Sequence, residues 1–127
     1  MSAEPEWIEV ADALFFHAQL IATFGGAGGV GDKGLLESAL GRPRNLFGYG
    51  TEDLYELAAA YAHGIVRNHP FVDGHKRAAF VIARVFLGLN GVAFDPPEEE
   101  AVVMVEGLAA GAVTQDVFAS WLRKHSR

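Results

Sequence analysis

Apolar residues recur at helical spacing through the first half of the chain. Over residues 8–24 they cluster at intervals of three and four, and Gly25-Gly26 then ends the predicted helix. Asp32 is a suitable N-cap for a second, short helix, which we expect to end before Pro43. Thr51 follows as the expected cap of a third helix. This third helix should stop near residue 68, because Pro70 disfavours helical geometry at the residue before it.

The second half of the chain continues the helical pattern. Residues 74–89 are apolar on nearly every side, as is typical of a helix at the centre of a bundle. Pro96-Pro97 precede a helix over about 98–110, and Thr114 caps a last helix that runs through Trp121. Small β pairing is expected only near 45–50 or 92–94. The pattern predicts an all-α fold, a compact helical bundle in a single domain of residues 1–127.

Composition and charge narrow the class of protein. A chain of 127 residues, half of them apolar, is long enough to bury a core and is unlike a disordered chain. Its net charge of -6 argues against nonspecific nucleic-acid binding, which requires a basic surface. The absence of cysteine excludes disulfides and thiolate metal sites. We find neither a signal peptide nor an apolar run long enough to span a membrane, so the expected localisation is cytoplasmic.

The chemistry is concentrated at residues 69–77, which read His-Pro-Phe-Val-Asp-Gly-His-Lys-Arg. A loop that opens into a helix presents unpaired N–H groups that bind anions, phosphate above all. Lys76 and Arg77 are unfavourable at a helix N-terminus unless an anion binds there, so their presence indicates a ligand. His69 is placed to accept a proton from a hydroxyl that attacks the bound phosphate. The segment therefore predicts a phosphate-transfer site.

The other residues of this segment have structural and functional interpretations that both remain open. Asp73 is a common kind of N-cap for the helix that follows it. Gly74 is explained by the clearance that a close phosphate needs. Phe71 is expected to be buried in the core and to fix the direction of the loop. His69, Asp73 and His75 could instead hold zinc or iron, although the two cations that follow would repel a bare divalent ion.

Titratable residues outside the segment receive structural interpretations. His17, His63 and His125 are expected to be structural or surface groups. Arg84 lies within the apolar segment, where a buried guanidinium would require a carboxylate partner that the sequence does not identify.

With these residues described, the chain resembles the Fic/Doc superfamily, and specifically its Doc (death-on-curing) toxin branch. The resemblance rests on residues 69–77 and extends over most of the chain, through 24–26, 31–40, Arg42-Pro43 and 86–91. One position departs from the family pattern, because His75 stands where the family has Asn. An imidazole also donates hydrogen bonds to phosphate, but it is bulkier and changes its charge near neutral pH.

The resemblance implies a reaction and its components. It implies that Asp73 helps to hold the Mg²⁺ that accompanies ATP, and that Gly74, His75, Lys76 and Arg77 contact the phosphates. Members that transfer a nucleotidyl group have a glycine where Lys76 stands and a second arginine where Phe80 stands. Both differences imply transfer of the γ-phosphate of ATP to a protein hydroxyl. The implied substrate is a threonine of elongation factor Tu, whose phosphorylation would arrest translation.

The resemblance also implies regulation by a partner. Self-inhibited members of the superfamily carry a (Ser/Thr)-x-x-x-Glu-(Gly/Asn) helix, which is not found in this sequence. A Phd-like antitoxin whose C-terminal segment folds as a helix on an apolar groove is therefore the implied partner. Two alternatives remain: an AMP transferase of the Fic type, and a catalytically weak module that binds the antitoxin because His75 replaces Asn.

Overall fold

The structure is a computed structural model that describes residues 3–127. Over that range the chain forms six helices, α1 (Val10–Phe24), α2 (Lys33–Gly48), α3 (Leu54–Asn68), α4 (His75–Leu89), α5 (Glu98–Ala110) and α6 (Gln115–Lys124). Within the same range, extended backbone pairs at two isolated bridges, one between Val30 and Phe71 and one between Phe94 and Ser126. The all-α prediction is confirmed.

Helix α3 lies at the centre of the bundle and packs against α2, α4 and α6. Nearly every residue from Leu57 to Val66 is buried, because alanines and a glycine allow close approach on several sides. Helix α4, which the sequence pattern placed at the centre, buries one face against α3. Its other face leaves Arg84 exposed, and this guanidinium lies 3.9 Å from Asp95, so the carboxylate partner is found at the surface rather than in the core.

Helix α2 does not end before Pro43, and the sequence-based prediction of its length is wrong. Pro43 is buried inside the helix, which continues to Gly48. A proline has no N–H to offer the carbonyl four residues earlier, here that of Ala39. Gly64 of α3 packs against this turn, where an added Cβ would lie 3.2 Å from the Cα, Cβ and O atoms of Ala39. The close contact between the two helices therefore holds α2 together where the local sequence would end it.

The predicted helix caps are confirmed at two of three positions. The side chains of Asp32 and Thr114 accept hydrogen bonds from the N–H groups of Leu35 (3.0 Å) and Val117 (3.1 Å). Thr51 was the wrong choice for α3, because Asp53, directly before the first helical residue, accepts from Tyr55 and Glu56 instead.

The two regions expected to form β pairs behave differently. Residues 45–50 belong to the last turns of α2 and to the turn after it, so no pairing forms there. Residues 92–94 do pair, because the N–H and C=O of Ala93 exchange hydrogen bonds with Arg127 at 3.0 and 2.8 Å. Among residues 3–127, no helix combines the length and the apolar character needed to cross a bilayer.

Candidate phosphate-transfer site

The loop between α3 and α4 is held in place by the glycine-rich segment between α1 and α2. The N–H of Gly31 donates to the carbonyl of Pro70 at 2.8 Å, and the N–H of Val72 donates to the carbonyl of Gly29 at 3.1 Å. These backbone bonds fix the loop at both sides of Phe71, whose side chain is buried as predicted. The segment that carries the candidate site is thus paired with a second loop more than thirty residues away, as the bridge from Val30 to Phe71 also shows.

His69 ends α3 in a left-handed backbone conformation. Its φ of 48° and ψ of 55° make it the only residue other than glycine with positive φ in the range 3–127. This conformation costs a side-chain-bearing residue about 1–2 kcal/mol, and such strain is concentrated at functional sites. The turn leaves His69 exposed, and its ring lies 4.0 Å from the ring of His75, centroid to centroid.

His17 of α1 fixes the backbone of the loop between α3 and α4 through a hydrogen bond. Its Nε2 atom lies 2.6 Å from the carbonyl oxygen of Asp73, and because a carbonyl can only accept, Nε2 carries the donated proton. The same imidazole stacks on Phe71 with 4.0 Å between centroids and 5° between planes. The sequence analysis gave His17 a structural role, and the structure assigns that role to the support of Asp73.

The carboxylate of Asp73 is exposed and retains free acceptor positions. Its Oδ1 accepts from the N–H of Gly74 at 2.8 Å, and its Oδ2 lies 3.4 Å from the N–H of Ala27. Asp73 does not cap α4, because the N-cap position belongs to Gly74, with a φ of 76°. The remaining lone pairs suit a hard cation that takes one carboxylate together with phosphate oxygens, as Mg²⁺ does.

A groove with a volume of about 900 Å³ runs from this loop between α1, α4 and α5. Lys76 and Arg77 line the groove where it meets the loop. Both belong to the first turn of α4, and that turn contains no acidic residue. The guanidinium of Arg77 lies 4.4 Å from the ring centroid of Phe24, a contact that directs this cation along the groove wall. Apolar side chains form much of the remaining lining: Leu20, Phe24, Phe80, Val81, Ala101, Val102 and Val105.

The surroundings of His75 favour the neutral form of its imidazole. Partial burial lowers the pKa of this imidazole, the nearby His69 and Lys76 lower it further, and Asp73 opposes the shift. A neutral ring can still donate one hydrogen bond to a phosphate oxygen, as an asparagine amide does. It occupies more space, however, and part of that space is against His69.

Five of the six residues that the sequence analysis selected line the groove, whereas His69 is not part of its lining and contacts it through the ring of His75. His69 lies at the end of α3, Asp73 and Gly74 lie in the loop, and α4 begins with His75, Lys76 and Arg77. Among residues 3–127, no three histidine, aspartate or glutamate side chains are grouped so that they alone would hold a metal ion. The three-ligand arrangement of His69, Asp73 and His75 is therefore not formed.

Sequence reasoning missed Gly26, which determines where the Asp73 carboxylate can lie. A Cβ added at Gly26 would lie 2.7 Å from Oδ2 of Asp73, so any other residue there would displace this carboxylate from its present position. Nothing local in the sequence indicates the contact, because the two residues meet only through the pairing of the two loops.

Comparison with known proteins assigns this architecture to a family. The model of the Fic/DOC family matches residues 7–87, which include the loop and nearly all of α4, and the chain belongs to this family. Within it, the chain is similar to proteins of the Doc branch. It is 34% identical to the protein kinase doc of Escherichia phage P1 over 119 residues, covering 92% of this chain and 93% of that protein. It is 44% identical to the toxin Doc of Mycolicibacterium smegmatis over 72 residues, covering 54% of this chain and 55% of that protein.

Proposed function

We propose that this protein is a Doc-type toxin that transfers the γ-phosphate of ATP to a hydroxyl of a protein substrate. The observation that carries the proposal is the end of the groove, where Lys76 and Arg77 lie in the first turn of α4; this turn contains no acidic residue, and among residues 3–127 neither cation forms an ion pair within 4.0 Å. A triphosphate would supply the anionic partner that these two cations lack, and the groove of about 900 Å³ has room for the nucleoside. The likeness to a relative named a protein kinase supports the same reaction.

Each residue has a defined task in the proposed transfer. His69 accepts the proton of the substrate hydroxyl, and the hydroxyl oxygen then forms a bond to the γ-phosphorus. The bond from that phosphorus to the β,γ-bridging oxygen breaks, and ADP leaves. Lys76 and Arg77 offset the charge on the phosphate oxygens during the transfer. The neutral ring of His75 donates to a phosphate oxygen in place of the family's asparagine amide.

Asp73 is the residue that would hold Mg²⁺, because its carboxylate is exposed and has free acceptor positions. The ion supplies charge neutralisation to the phosphates when it is bound. His17 and Gly26 keep the carboxylate in place, the first through the carbonyl of Asp73 and the second by leaving space beside Oδ2.

The position of Lys76 in the groove favours phosphate transfer over nucleotidyl transfer. A lysine side chain stands where nucleotidyl-transferring relatives leave space for the α-phosphate, and Phe80 in the same groove provides no second cation. ATP labelled separately at the α- and γ-phosphates decides between the reactions. Label from the γ-phosphate alone should reach the protein substrate, whereas label from the α-phosphate would establish an AMP transferase instead.

The substrate that we propose is a threonine of elongation factor Tu, and the partner is a Phd-like antitoxin. Apolar side chains along α1 and α5 remain exposed, among them Phe15, Phe24, Val102 and Val103. An amphipathic helix from an antitoxin would cover such a surface. Expression of the protein without antitoxin should then arrest translation, and expression of the His69→Ala variant should not.

A further inference from the structure

A second pocket lies between α2 and α3, and no residue of α3 lines the groove. This second pocket has a volume of about 380 Å³, and we call it the α2–α3 pocket. Its lining includes Arg42, His63 and Arg67 together with neutral polar groups, and it contains no carboxylate. It shares no lining residue with the groove that runs along α4.

Neither arginine of this pocket is neutralised by the protein. Within residues 3–127, no carboxylate oxygen lies within 4.0 Å of the Arg42 or Arg67 guanidinium. Arg42 donates two hydrogen bonds, from Nε and Nη2, to the side-chain oxygen of Gln115 at 3.3 and 2.9 Å. This amide holds the guanidinium in position without cancelling its charge.

His63 is the third titratable residue of this lining. Its Nδ1 atom is buried, yet it has no hydrogen-bond partner in the described part of the chain. Buried polar atoms almost always have a partner, because leaving one without a partner costs free energy. Burial and then the nearby charges of Arg42 and Arg67 lower the pKa of this imidazole, so both guanidinium groups act on the same ring.

We propose that the α2–α3 pocket binds an oxyanion, a phosphate or carboxylate group, between Arg42, His63 and Arg67. The anion would accept from both guanidinium groups and lie beside the imidazole ring of His63. The pocket adjoins the candidate site, since Arg67 and Asn68 of its lining directly precede His69. An acidic group of the protein substrate would bind here while a neighbouring hydroxyl of the same substrate approaches His69. That the protein substrate supplies the anion rests on the proposed function.

The first experiment tests the anion site without any reference to catalysis. Inorganic phosphate is titrated into the full chain while the imidazole nitrogens of His63 and His125 are followed by ¹⁵N NMR. We expect a saturable change at His63 that is absent at His125, with a dissociation constant that rises about tenfold or more in Arg42→Gln and in Arg67→Gln. Arg123→Gln removes the same charge outside both pockets and should leave the titration unchanged.

Phosphate can also bind at the N-terminus of α4, and a further variant separates the two sites. Arg77→Gln should leave the response of His63 intact. A His63 that does not respond to phosphate, or that responds equally in the double variant Arg42→Gln/Arg67→Gln, would overturn the proposal and would indicate that water alone fills the pocket. Circular dichroism of each variant verifies that the helices are retained.

A second experiment identifies the source of the anion once transfer is measured. If the substrate supplies the acidic group, Arg67→Gln raises the KM for the protein substrate by about tenfold and leaves the KM for ATP unchanged. Phosphate should then compete with the protein substrate. If neither KM moves while His63 still responds to phosphate, the pocket holds a free anion. Failure of the transfer itself leaves the titration of His63 as a complete test of the site.

Discussion

The imidazole of His17 donates a hydrogen bond to the main-chain carbonyl of Asp73 across 56 positions of sequence, with 2.6 Å between Nε2 and O. This bond joins the middle of α1 to the loop that precedes α4, and it sets the direction of the Asp73 backbone. The carboxylate that we propose for Mg²⁺ therefore depends on a residue outside the signature segment.

Replacement of His17 should weaken both the metal-dependent step and the fold. His17→Phe keeps the stack on Phe71 but removes the hydrogen bond, and we expect transfer to fall by about tenfold while the free energy of unfolding falls by about 1–2 kcal/mol. The Mg²⁺ concentration required for half-maximal activity should rise. His17→Gln retains an N–H donor and should recover part of the loss; if the metal requirement is the same in all three proteins, His17 has no positioning role.

Gly26 and Gly29 form a matched pair for testing the space beside Asp73. Both have positive φ, 111° and 103°, so a change to alanine strains the backbone of either by about 1 kcal/mol. Only the Cβ at position 26 would approach Asp73, at 2.7 Å from Oδ2, whereas the one at position 29 meets no atom within 4 Å. Gly26→Ala should therefore weaken binding of Mg²⁺ and ATP, measured by calorimetry, well beyond the effect of Gly29→Ala. Equal effects would contradict this account of Asp73.

Gly64 should be essential for the contact between α2 and α3. A Cβ there would lie 3.2 Å from three atoms of Ala39, two of them backbone atoms of α2, so the helices would have to move apart. We expect Gly64→Ala to lower the free energy of unfolding by about 1–3 kcal/mol in a denaturant titration. Gly41→Ala on α2 meets no atom within 4 Å and should raise stability by up to about 1 kcal/mol through helix propensity.

The stability of the protein should depend on pH through His75. The pKa of this imidazole is lowered by folding, so below the ordinary value of about 6.5 the unfolded chain binds more protons than the folded one. The favourable contribution of neutral His75 is complete above that value and is lost as the pH falls through the folded pKa. When the pH is lowered from about 8 to about 5, the free energy of unfolding of His75→Asn should therefore decrease by less than that of the native protein. Parallel curves for the two proteins would contradict the prediction. His63 contributes to both curves in the same direction.

His75 also gives a test of activity against pH. If the protonated ring of His75 binds phosphate more strongly than the neutral ring does, the rate of transfer should increase on acidification. The His75→Asn variant should not show this increase. Because the pKa of His75 is lowered, the increase in transfer should occur at pH values below about 6.5. An unchanged pH profile in the variant would mean that the charge of this ring plays no part in the reaction.

Much of the fold and the composition of the site follow from local sequence signals. Periodicity and caps such as Asp32 and Thr114 define the helices, and the order of residues 69–77 alone places a turn, a carboxylate and two cations together. Pro43 misled the prediction because contact with α3 outweighs the local preference for a break. His17, Gly26 and the α2–α3 pocket depend on contacts between distant segments, for which a single sequence gives no signal.

The central claim is that this protein phosphorylates a protein hydroxyl through His69. Purified protein, free of antitoxin, is incubated with elongation factor Tu, Mg²⁺ and ATP, and the target is weighed by intact mass spectrometry. We predict a gain of one phosphate that is absent with His69→Ala. A gain of one AMP, or a gain of phosphate that persists in the His69→Ala variant, would contradict the account.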